Sequence, residues 1–182
     1  MEKAIGMVEF GSISRGIYSA DQMVKVADVE IVTAMPVCPG KYIAIVHGEV
    51  AAVQTSVDTG AREAGEFLIE QIVIPNVHDE VFPAITGGSM PHEIDAVGIL
   101  ESYSMAAMVI AADAVLKSAE LEPIEIRLGT GLGGKSFFTF TGEVAAVKTG
   151  VDTGTASIGE AGMLINAEVI PSPSPLLIGS LL

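Results

Sequence analysis

The stretch TAMPVCPGKY, residues 33–42, carries the only cysteine of the chain, Cys38, with Pro36 two places before it and Pro39 directly after. A thiol can serve as nucleophile, metal ligand or redox centre, in each case through its thiolate. One thiolate cannot hold an iron–sulfur cluster, whose irons usually take about four cysteine ligands. A free cysteine is also commonly an inert residue of the core. The two prolines stiffen the backbone on either side of this thiol, and Gly40 opens backbone angles closed to other residues.

Other residue types here also have chemical uses. Asp58-Thr59-Gly60 and Asp152-Thr153-Gly154 form a repeated triplet similar to the paired signature of two-lobed aspartic proteases, whose carboxylates share a proton. That reaction needs each aspartate on a tight loop, whereas both triplets fall inside helical patterns, with Asp58 turned away from the apolar stripe. His47, His78 and His92 lie far apart and show no ligand spacing. Gly131-Leu132-Gly133-Gly134-Lys135 has the glycines of a phosphate loop but leads into the strand-like SFFTF instead of a helix. It is a turn between strands. Asp21 with Lys25, and Asp113 with Lys117, are spaced i to i+4 with the acid first, as in helix-stabilising ion pairs.

The elements that must position these residues occur twice. Ala4-Ile5-Gly6 and Glu9 return as Ala96-Val97-Gly98 and Glu101, at an offset of 92, as do Ala20-Asp21 and Lys25. At an offset of 94, Gly40-Lys41, GEVAAV and VDTG return. Gly65-Glu66 returns as Gly159-Glu160, and Ile74-Pro75 as Ile170-Pro171. In the first copy AIGMVEF is a strand, RGIYSADQMVKVAD a helix with Ile17, Ala20, Met23, Val24 and Ala27 on one face, and EIVTAMPV and KYIAIVH two strands joined by the Pro-Val-Cys-Pro-Gly loop. GEVAAVQTSVDTGAREAGEF is a second helix with Val50, Val53, Val57, Ala61 and Ala64 on one face, and QIVIP is the last strand. The order βαββαβ predicts an α+β fold, a mainly antiparallel sheet with helices on one face. Residues 76–94 have the Gly and Pro content of a linker. The first domain is placed at 1–86, the linker at 87–94 and the second domain at 95–182.

With 182 residues, 49% of them hydrophobic, and a mean hydropathy of +0.53, the chain hides more surface than one monomer interior needs, which predicts an obligate oligomer. A net charge of −14 argues against nucleic acid and anionic membrane surfaces as partners. The start, with Glu2, Lys3 and Glu9, lacks an apolar signal core, and no segment has the unbroken apolar length of a membrane span. One cysteine excludes an internal disulfide, so the expected location is the cytoplasm.

The duplicated AIG-x-x-E and A-D-x-x-x-K, and the Gly-Lys turn followed by GEVAAV, resemble the bacterial microcompartment (BMC) shell domain in tandem, across essentially the whole chain. The resemblance implies two ferredoxin-like BMC domains and no enzymatic turnover. It further implies homotrimers, each a pseudo-hexamer, that tile with other BMC shell proteins around enclosed enzymes. It places Met35, Pro36, Val37, Cys38, Pro39 and Gly40, and Thr130, Gly131, Leu132, Gly133 and Gly134, around a central pore, and Lys25 and Lys117 at the tile edge. The family often has an Arg shortly after the final strand; here Asn76 and Ser172 follow the Ile-Pro pairs. Tandem members of propanediol-utilisation compartments, which this chain resembles within the family, bind a [4Fe-4S] cluster on the trimer axis. By that likeness Cys38 of three subunits holds one cluster per trimer, shielded by Met35, Pro36, Val37 and Leu132, for electron or cluster transfer across the shell, with enclosed redox enzymes as candidate partners. A purely structural tile with a metabolite pore and no cluster is the alternative, and an unmetallated or reversibly oxidised thiol fits it.

Overall fold

The computed structural model describes residues 4–159 and 163–181; the expected domain limits at 1 and 182, the terminal Glu2 and Lys3, and Glu160 of the repeated pair lie outside these. The chain forms two compact units whose boundary falls between Val77 and His78. The first contains β1 (Ala4–Phe10), α1 (Ile13–Val26), β2 (Glu30–Val37), β3 (Lys41–Gly48), α2 (Val50–Ala64), a 3₁₀ turn (Gly65–Phe67) and β4 (Leu68–Ile74). Its strands lie in the order β2-β3-β1-β4, every neighbouring pair antiparallel. This is the βαββαβ ferredoxin-like arrangement that the sequence predicts.

Local chemistry sets the element ends. Ser12 caps α1, its hydroxyl accepting from the Arg15 amide, and Gly65 closes α2 with a φ of 56°, a left-handed angle that glycine adopts without penalty. Both helices lie on one face of the sheet, where Val8, Phe10, Met23, Tyr42, Val46, Val53 and Val57 form a buried cluster. The buried stripe of α1 is Gly16, Ser19, Ala20 and Met23, so Ile17 points outward, contrary to the sequence expectation. The reason is steric. A Cβ on Gly16 would stand 2.6 Å from the Cβ of Tyr42, so α1 meets β3 through its smallest residues and the stripe rotates away from Ile17. Val50, at the first turn of α2, is likewise exposed.

The second unit repeats the plan with β5 (Ala96–Ser102), α4 (Met105–Ser118), β6 (Glu122–Leu128), β7 (Ser136–Gly142), α5 (Val144–Ile158) and β8 (Leu164–Ile170). Its antiparallel order is β6-β7-β5-β8. Two short helices are also present, α3 (Val81–Thr86) ahead of β5 and α6 (Pro175–Ile178) after β8. The stretch expected as a linker thus carries a helix, and α3 packs on β6 and α4 with Val81 and Ala84 buried. The His78 amide donates to Asp113 Oδ1 at 2.8 Å.

Farther along, the His92 amide and ring Nδ1 lie 2.8 and 2.9 Å from the same Glu122 oxygen. The hydrogen bond and the charge of Glu122 raise the imidazole above its ordinary 6.5; the backbone and ring bonds from His92 lower the carboxyl below its ordinary 4.5. The pair's contribution is therefore complete between those two values. It is lost as pH rises through the raised imidazole value or falls through the lowered carboxyl value. An NMR titration should place the His92 midpoint above 6.5, and Glu122→Gln should return it to about the ordinary value; equal midpoints in the two proteins would refute the pairing.

Candidate functional site

Pairing of β2 with β3 runs to Val37 opposite Lys41, leaving Cys38, Pro39 and Gly40 as a three-residue turn. Gly40 has a φ of 86° and donates its amide to the Val37 carbonyl at 3.0 Å, and the Cys38–Pro39 peptide is cis. A left-handed glycine is what a three-residue hairpin loop uses to reverse direction. Met35, Pro36 and Val37 are the last residues of β2. Pro36 is tolerated because β2 is an edge strand. Val37 is buried, Met35 and Cys38 are half-buried, and Pro36, Pro39 and Gly40 are exposed.

The corresponding turn of the second unit is longer, seven residues from Gly129 to Lys135. Four of its glycines, 129, 131, 133 and 134, have φ between 63° and 93°. It closes through Gly129 N to Lys135 O at 3.0 Å and Lys135 N to Leu132 O at 3.2 Å. Thr130, Gly131 and Gly133 are exposed, Leu132 half-buried and Gly134 buried. No helix follows Lys135, so the turn lacks the amide-bearing terminus of a phosphate cradle.

Each turn is braced by an ion pair that the sequence displayed only as two separate repeats. Lys41 Nζ lies 2.7 Å from Glu9, and Lys135 Nζ 3.1 Å from Glu101. Glu9 sits opposite Ile43, two residues from Lys41, so both side chains share one sheet face. The joining signal was the antiparallel register, which places the fixed Glu beside the Lys that ends the turn.

Lys25 and Lys117 stand near the C-termini of α1 and α4, held by Asp21 at 2.5 Å and Asp113 at 2.7 Å, as the i to i+4 spacing predicts. Asp58 and Asp152 are exposed on α2 and α5, away from the sheet, and Asp58 accepts from Gln54. His47 faces Glu30 across β2 and β3 at 3.6 Å, and His78 Nδ1 accepts from the Glu80 amide. Among the described residues no three His, Cys, Asp or Glu side chains are grouped to hold a metal ion, and no helix is long and apolar enough to cross a membrane. The donor set of one chain for a cluster is therefore a single thiolate, and a cluster fits only where several copies of Cys38 meet.

The BMC domain profile matches residues 4–77 and 96–173. The chain is 38% identical, over 95% of its length and 94% of the relative's, to the bacterial microcompartment shell protein PduT of Citrobacter freundii. It is 39% identical to the shell protein PduA of the same organism, a match spanning 44% of this chain and 88% of PduA. Among solved structures, a microcompartment protein from Desulfitobacterium hafniense DCB has 45% identity and a TM-score of 0.94, over 98% of this chain and 99% of that one. Two copies of one ferredoxin-like unit, two matches to the BMC domain and full-length similarity to a microcompartment shell protein make this chain a tandem-domain member of the BMC shell-protein family, whose members are structural components and not enzymes.

Proposed function

We propose that three copies of the chain close into a pseudo-hexameric tile of a microcompartment shell in the bacterial cytoplasm, alongside other BMC shell proteins. The observation that supports this most is the duplication itself. A relative of one-domain length, PduA, matches half of the chain, so three chains supply six equivalent units. In such a ring the two turns, 35–40 and 130–134, surround the axis, and their exposed Pro, Gly and Thr suit the passage of small polar metabolites. Lys25 and Lys117 face neighbouring tiles, each already oriented by its aspartate. The native mass should equal about three chains. The double variant Lys25→Ala, Lys117→Ala should keep that mass and lose the extended sheets seen by electron microscopy; sheets from that variant would remove the edge role.

A second reading is favoured by the position of Cys38 at the tip of a turn, where the core does not consume the thiol. Three such thiolates on a threefold axis supply three of the about four ligands of a [4Fe-4S] cluster. The fourth iron is left for water, another small ligand or a cysteine of an enclosed redox partner. When bound, such a group carries electrons across the shell. Pro36 and Pro39 limit the freedom lost as three turns converge, and Val37 and Met35 restrict water around the sulfurs. Protein purified without oxygen should then contain about four irons per trimer, and none in Cys38→Ser. Trimers that stay free of iron and sulfide after anaerobic reconstitution leave the structural tile alone.

A further inference from the structure

The two units share a fold but not an outer surface. In the first unit Ile17 of α1 is 54% exposed and Ile31 of β2 is 51% exposed. At the offset of 92 their counterparts are Val109 and Pro123, and both are buried. Ile13, also exposed, corresponds to the buried Met105. Among the described residues Asp21 pairs with its helix neighbours Gln22 and Lys25, whereas its counterpart Asp113 is buried and accepts the His78 amide besides the Lys117 ammonium. The second unit differs in having an occupant: residues 78–86 lie on α4 and β6, with Val81 and Ala84 facing inward.

The chain holds a second version of that occupant. At the offset of 96 set by the Ile-Pro pairs, Ser174 stands for His78, Leu177 for Val81 and Ser180 for Ala84. Both segments are short helical turns, with Val81 N donating to His78 O and Leu177 N to Ser174 O. Yet Leu177 is 40% exposed where Val81 is fully buried. The second repeat therefore has a covered surface and, at its own end, an uninserted segment. The first has a bare apolar surface, and the segment that follows it is the one inserted on the second.

We infer that residues 174–181 of each chain dock on α1 and β2 of the first unit of a second copy, as residues 78–86 dock on α4 and β6. Leu177 covers Ile17 and Ile31, and the Ser174 amide donates to Asp21. Burying these side chains supplies apolar contact area that the isolated chain leaves in water. The contact is head-to-tail, so it closes a ring when the rotation per chain permits. It deepens the trimeric reading given above and names the surface that makes it.

The test is the native mass of full-length variants. Ile17→Glu and Leu177→Glu are each expected to shift the mass from about three chains to one, with an unchanged circular dichroism spectrum, because both positions are exposed in the single chain. Met90→Glu, at an exposed apolar position outside this pairing, should stay at three. Hydrogen exchange supplies an independent readout: amides of residues 13–20 should be slowed in the parent oligomer and released in Leu177→Glu. A trimeric parent whose two variants remain trimeric with unaltered exchange overturns this contact and leaves the tile standing. A monomeric parent overturns both.

Discussion

Phe140→Val is expected to destabilise the second unit by about 2–3 kcal/mol, somewhat below the range for complete truncation of a buried phenylalanine. With an unfolding entropy typical of about 100 residues, that lowers the melting temperature by roughly 10 °C. Phe140 is fully buried, with its ring 5.0 Å from that of Phe138 and beneath Gly98, whose Cβ would stand 2.4 Å from the Phe140 ring. In the first unit the counterpart of Phe140 is Val46 and that of Gly150 is Ser56, both at an offset of 94, and the Ser56 hydroxyl donates to the Met23 carbonyl. The second unit has Gly150 in place of that serine, and a Cβ there would come within 2.9 Å of the Phe140 ring and 2.7 Å of Leu121. The larger ring and the missing side chain are one compensated exchange. Gly150→Ser alone should therefore also destabilise, by about 1–3 kcal/mol from overpacking. The double variant should be more stable than the sum of the two, by a coupling of about 1 kcal/mol or more in thermal or denaturant unfolding. Strict additivity would refute the compensation.

Lys41→Met is expected to cost the first unit about 3 kcal/mol, whereas Lys135→Met should cost the second less than about 1 kcal/mol. The sequence presents these lysines as equivalents, and each is paired with its strand glutamate. Burial separates them. The Glu9 side chain is only 3% exposed, against 35% for Glu101. Removing Lys41 leaves a carboxylate enclosed without its cation, and the desolvation that Lys41 offsets is then uncompensated. Glu101 can turn to water when Lys135 is gone. Chemical denaturation of both variants beside the parent measures the difference, and equal losses would show that burial of Glu9 does not govern the pair. Glu9→Gln combined with Lys41→Met should restore part of the stability, since the buried charge is removed with its partner.

Much of the fold was legible because the informative signals are local. The strands AIGMVEF and EIVTAMPV coincide with β1 and β2, and Cys38-Pro39-Gly40 with the turn between β2 and β3, since apolar runs, proline and glycine act on their own neighbourhood. Helical spacing located α1 but placed Ile17 on the wrong side. Periodicity shows an apolar stripe and not which stripe the sheet accepts. The small residues Gly16 and Ser19 decided that, by permitting close approach to Tyr42. The glycines and prolines of 76–94 suggested a linker, and tertiary contacts with β6 and α4 made a helix of Val81–Thr86. The Glu–Lys braces needed the register, which joins residues 32 and 34 positions apart.

By itself, then, the sequence determined the duplication, the βαββαβ order of each copy and a single thiol on a stiff turn between two strands, because each is written in short-range composition or in self-similarity. Only the tertiary structure decided which of two corresponding surfaces is covered, which of two equivalent ion pairs is buried, and how a ring in one copy is matched by a glycine. Burial is a property of what the rest of the chain brings to a residue, and two copies with the same internal pattern receive different neighbours.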